Sequence, residues 1–91
     1  MHAVVVKVNI EDYERGHKFL TEQVVPRVSQ APGFVAGYWT RSEEGSGGLS
    51  MIMFESEDGA RAVAQMIESQ PPQDDGVTLE GTEVREVVAS A

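Results

Sequence analysis

Four side chains in this sequence have chemistry beyond packing: Tyr13 and His17, one helical turn apart, and Trp39 and Arg41, two residues apart. An unperturbed imidazole titrates near neutrality, so His17 is a candidate acid/base group. It falls on the apolar stripe of the expected first helix, where the alternative is a hydrogen-bonded core histidine. Trp39 is the only tryptophan. Its indole either packs in the core with its N–H satisfied or walls an aromatic site. Arg41 has the strand parity of Trp39 and would meet an anionic substrate there, unless its place at a strand end leaves it solvated. The carboxylates form no acid/base pair: Asp74 and Asp75 read as loop, and Glu80, Glu83 and Glu86 as strand surface. Without cysteine there is no disulfide and no thiolate chemistry. His2, near the terminus and incidental, and His17 are too few for a histidine-rich metal site, so no metal is expected.

The elements that must position these groups follow from composition and pattern. Residues 1–91 suffice for one domain. A chain 41% hydrophobic and 24% charged is ordinary for a folded protein. Its formal charge of −8 argues against nucleic acid and against anionic membrane surfaces. The run "HAVVVKVNI" is too short for a membrane span, which leaves the cytoplasm as the default location.

Residues 3–10 predict a strand with Val4, Val6, Val8 and Ile10 on one face. A helix entered through Glu11 or Asp12 follows, with the stripe Tyr13, Gly16/His17, Leu20, Val24 and Val28. Pro26 predicts a kink or an end shortly before it. "APG" at 31–33 closes the element. Strand 2 is expected over Phe34–Ser42, a glycine-rich connection over "EEGSGG", and strand 3 over Leu49–Glu55. Ser56 caps a second helix with the stripe Ala60, Val63, Ala64 and Ile67. "SQPPQDDG" is a linker. In the last strand Val77 and Leu79 share one parity and Val84 and Val88 the other, which a bulge near Gly81 repairs. The order βαββαβ predicts an α+β, ferredoxin-like fold: a four-stranded antiparallel sheet with two helices on one face.

Two helices cover one face of such a sheet. Strands 2 and 3 nevertheless carry large apolar residues on both. Leaving four or five of them wet forgoes on the order of 10 kcal/mol, comparable to the whole stability of a domain. A second copy of the chain is the economical cover, so a homodimer through the open sheet face is expected.

With these elements the chain resembles the dimeric α/β-barrel superfamily, and most closely its antibiotic biosynthesis monooxygenase-like branch. The resemblance runs along nearly the whole sequence: the valine-rich first strand, "QAPGFVAGYW", the hairpin, "MIMFESEDGARAVAQMI" and the valine-rich last strand. It implies that Val35, Gly37 and Trp39 face the helices, with Gly37 leaving a gap beside the indole as a substrate cavity. Enzymes of this branch need neither metal nor flavin, because the substrate itself donates electrons to oxygen. The resemblance thus implies a cofactor-free monooxygenase-like protein that binds or oxidises an aromatic small molecule. His17 and Trp39 would be its catalytic candidates, and Tyr13, Gly37, Trp39 and Arg41 would hold substrate. Haem-degrading relatives take an axial histidine from the second helix, and residues 57–69 contain none, which disfavours haem. Asn9 stands near a strand-1 asparagine of those relatives without a secure register. The superfamily also holds non-enzymatic barrels with ligand-binding, regulatory or stress-related roles, the alternative reading. The two part on whether a polar group from His17, Tyr38 or Arg41 converges with Trp39 on one open cavity.

Overall fold

The computed structural model describes residues 1–70 and 76–91, so the centre of the expected linker, with Asp74 and Asp75, lies outside the described residues. β1 (His2–Ile10) leads into a helical rod of three parts: α1 (Tyr13–Phe19), a π-helical turn (Leu20–Val24) and α2 (Val25–Ser29). Then come β2 (Phe34–Arg41), β3 (Gly47–Phe54), α3 (Glu57–Ser69) and β4 (Val77–Glu86). The strands form one sheet in the order β2-β3-β1-β4, every neighbour pair antiparallel. This is the ferredoxin-like βαββαβ arrangement expected from the sequence.

Local chemistry accounts for the element ends. Asp12, in extended conformation, accepts from the Arg15 N–H and caps α1. Ser56 does the same for α3 through the Gly59 N–H. Pro26 neither ends nor breaks the rod. A proline ring clashes with the carbonyl four residues back and brings no N–H to the ladder. The ladder widens just ahead of it, so that the Val25 N–H bonds the Leu20 carbonyl. Gly33, at φ +82°, turns the chain into β2 in a conformation that favours glycine, and its carbonyl accepts the Glu55 N–H.

Two bulges set which side chains face the helices. Opposite β1, the register of β4 slips between Lys7↔Gly81 and Val8↔Leu79, leaving Glu80 unpaired. That is the bulge the parity change near Gly81 required. The second is a correction. In β2 the register shifts between Phe34 and Ala36, so Phe34 and Trp39 both pack against the core although their parities differ. Val35, expected to face the helices, is instead 43% exposed. β2 also ends one residue early, and β3 begins two residues early, so Gly47 and Gly48 are strand rather than connection.

The core fills only one end of the space between sheet and helices. Val4 and Val6 of β1, Ile52 and Phe54 of β3, and Val28 of α2 meet Ala60, Val63 and Ala64 of α3 there. Burying each larger side chain contributes about 1.5–3 kcal/mol. The opposite sheet face has no such cover: Tyr38, Leu49 and Met51 are 64%, 44% and 42% exposed. Cross-strand pairing lines them up, with Tyr38 opposite Met51 and Met51 opposite Val5.

Candidate functional site

At the other end of the helix-facing surface the space stays open, as a cavity of about 670 Å³. That lies within the usual range for small-molecule sites, roughly 300–1,000 Å³. β3 shows why it is empty. Its inward residues run Phe54, Ile52, Ser50, Gly48, two large side chains followed by two small ones. The β1 partners of this stretch are Val4, Val6 and Val8, all of one size. The floor therefore drops where Ser50 and Gly48 take the place of hydrophobes. A Cβ at Gly48 would sit 2.6 Å from Val8 Cγ2, so glycine there also lets Val8 lie over the floor. The sequence reading assigned Gly48 to a turn and missed this. Extending the Ile52/Phe54 parity two residues further back would have found it.

The walls are largely apolar: Val8, Ile10, Leu20, Val24 and Leu79. Polar groups gather where α1 passes over the end of β2. Arg41 holds its guanidinium carbon 3.7 Å from the centroid of the Tyr13 ring. Tyr13 in turn stacks on His17, centroids 5.5 Å apart and planes 28° from parallel. These rings meet because Tyr13 and His17 are four apart on one helix face. Arg41 Nε donates to the Gly45 carbonyl at 3.2 Å, which fixes the guanidinium above the phenol. All three line the cavity together with Trp39.

His17 is thus no core histidine; it is exposed at the cavity mouth. Tyr13 is 40% exposed beside it. Arg41 is exposed, yet turned onto Tyr13 rather than out into water. Tyr38, the third polar group considered, is on the opposite sheet face and takes no part.

Gly37 differs from its expected role. It does not line the cavity, because the indole of Trp39 folds back over it. A Cβ at Gly37 would sit 2.7 Å and 2.8 Å from the far edge of that indole, Cη2 and Cζ3. Glycine here makes room for Trp39 itself, not for a ligand. The indole packs against the core on one side and walls the cavity on the other.

Asn9, whose register was open, hydrogen-bonds Glu11, which also accepts from Thr78. Among the described residues no cluster of three or more His, Cys, Asp or Glu could hold a metal ion. No helix among them is long and apolar enough to cross a membrane.

No family model matches the chain, and no curated protein does. Solved structures match its fold. HapK from Hahella chejuensis superimposes with a TM-score of 0.71 at 10% identity, covering 100% of this chain and 96% of that one. A monooxygenase from the gene ActVA-Orf6 of Streptomyces coelicolor, in complex with nanaomycin D, gives 0.57 at 17% identity, covering 99% and 92%. The haem-degrader MhuD from Mycobacterium tuberculosis, with two haems in its active site, gives 0.56 at 20% identity, covering 97% and 98%. At these identities the likeness is one of fold, and it agrees with the ferredoxin-like fold expected from the sequence.

Proposed function

We propose that this protein is a homodimeric, monooxygenase-like barrel that takes an aromatic small molecule into the cavity beside Trp39. One observation carries the reading: Arg41, Tyr13 and His17 converge with Trp39 on a single open, mostly apolar cavity. That convergence favours a substrate site over a barrel with a filled interior. An electron-rich phenol bound there supplies its own electrons to oxygen. The chain is asked only to bind it flat, exclude water, and hold or move the phenolic proton, with His17 or Tyr13 in reach of the mouth. Haem fits less well, since α3 has no histidine and His17 is already stacked on Tyr13.

The test is titration with a planar polyphenol such as 1,8-dihydroxyanthrone, read by Trp39 fluorescence and by oxygen uptake. Saturable quenching with oxygen consumption above the uncatalysed rate is the expected result. Quenching without consumption moves the protein to the ligand-binding alternative, and no quenching removes the site. Haemin should give no sharp histidine-ligated Soret band.

The homodimer half of the proposal rests on the apolar outer face of the sheet, with Val5, Tyr38, Leu49 and Met51 in register. Light scattering at micromolar concentration should give about twice the chain mass of 9.9 kDa. Met51→Asp should yield a folded monomer, whereas Ile52→Asp, 1% exposed under the helices, should not fold. A monomeric wild type would overturn this half alone.

A further inference from the structure

We infer that the ligand of this cavity is an aromatic acid, whose carboxylate is received by Arg41 at the mouth while its ring lies against Trp39. The inference rests on the cavity being a ligand site and goes on to name the ligand's chemical class.

Three observations support it. The first is charge. Acidic residues outnumber Lys and Arg by 15 to 7 over the chain. Among the described residues the cavity lining inverts this ratio: its charged residues there are Arg27, Arg41 and one carboxylate, Glu68. Glu68 already accepts a hydrogen bond from the Thr82 hydroxyl. Among the described residues, the balance of charge on the cavity thus favours an anion.

The second is that Arg41 makes no ion pair with any described residue, although Glu43 and Glu44 follow two and three positions later. Its Nε is used by Gly45, and its plane rests on Tyr13. A guanidinium has five N–H donors in a fixed fork. Holding it by Nε and one face leaves the terminal nitrogens for an incoming group, and a carboxylate matches that fork with two parallel hydrogen bonds.

The third is position. Arg41 stands two residues beyond Trp39 on one face of β2, their Cα atoms about 7 Å apart along the strand, with the indole leaning back toward Gly37 and the guanidinium held forward by Gly45. Anion receptor and aromatic wall thus stand apart along one face, as a carboxyl group at one end of a fused ring system requires. Arg27 sits on α2, fourteen residues along the rod from Tyr13, and so lines the far end of the cavity.

Two probes of equal shape and different charge test the inference: 1-hydroxy-2-naphthoate and 1-hydroxy-2-naphthamide, each titrated against the full chain by Trp39 fluorescence at pH 7.5. The acid should bind about tenfold or more tighter than the amide, and added salt should weaken the acid alone. In Arg41→Gln the preference should fall to within about twofold, through loss of acid binding with the amide unchanged. Arg41→Lys should restore only part of it, because an ammonium lacks the fork. Arg61→Gln, on the solvent side of α3, removes the same unit of charge elsewhere and should preserve the preference. Equal binding of the two probes overturns the aromatic-acid assignment and leaves the cavity reading intact. So does an Arg41→Gln variant that weakens both alike, which would mean Arg41 merely props up Tyr13. Loss of the preference in Arg27→Gln instead would also overturn it, by placing the acid at the far end. If neither probe perturbs Trp39, the ligand site itself falls and the inference with it.

Discussion

Val4 and Val8 lie on one strand, on one face, beneath one helical layer, yet the first is 0% exposed and the second only half-buried. Nothing in β1 distinguishes them. The difference lies across the ladder, where Val4 pairs with Ile52 and Val8 with Gly48. Above Val4 the small residues Ala60 and Ala64 let α3 approach the sheet closely. Above Val8 stand the bulky, half-polar Tyr13 and His17, which stack on each other rather than descend. The packed end holds the fold together, and the open end is free to bind.

The largest expected effect tests that division directly. Val4→Ala should cost about 2–3 kcal/mol, since it removes two buried carbons and leaves a void that close-packed neighbours cannot fill. Val8→Ala should cost below about 1 kcal/mol, because its methyl groups already border open space. Urea unfolding of both variants measures the contrast. Equal losses would mean that the cavity closes in solution and the two ends are alike.

A middling effect is expected at the boundary between the ends. Gly37→Ala places a methyl group where the indole edge lies, and the side chain with room to move is Trp39, which must swing toward the cavity. Displacing it should cost about 1–2 kcal/mol, at the lower end of overpacking costs because the cavity can receive the ring. Trp39 emission should shift, and affinity for a planar phenol should drop together with the cavity volume. A neutral substitution with unchanged emission would show that the indole does not rest on Gly37, and the boundary would have to be redrawn.

The packed end was legible in the sequence because burial writes itself as periodicity. Val4 and Val6, Ile52 and Phe54, and Ala60, Val63 and Ala64 all stand at strand or helix spacing. The bulge near Gly81 was legible too, through the change of parity on either side of it. The bulge after Phe34 was not, because large residues on both parities of β2 leave no phase to break. The open end was half legible: His17, Tyr13, Trp39 and Arg41 stood out by type. Absence has no such signature. Glycines at 37 and 48 look alike in sequence, and only the ladder shows that one seats an indole while the other lowers a floor.

The smallest effect is expected where the packed end meets solvent. Arg61 Nη2 lies 2.6 Å from Glu57 Oε2 on the outer side of α3, the helix that closes the core. The hydrogen bond and charge of Arg61 hold the Glu57 carboxyl below its ordinary range, with a small further pull from His2. A carboxyl lowered in the folded state adds stability above its unfolded pKa, and that contribution is lost as pH falls through the folded value. Arg61→Gln should therefore raise the Glu57 pKa toward normal, followed by carboxyl carbon chemical shifts across an acid titration. Both side chains are about half exposed, so water and salt screen the pair and the urea midpoint at neutral pH should scarcely move. A large loss of stability in this variant would contradict the division drawn above. It would mean that surface charge holds α3 onto the sheet, whereas Ala60, Val63 and Ala64 beneath it are the residues expected to do so.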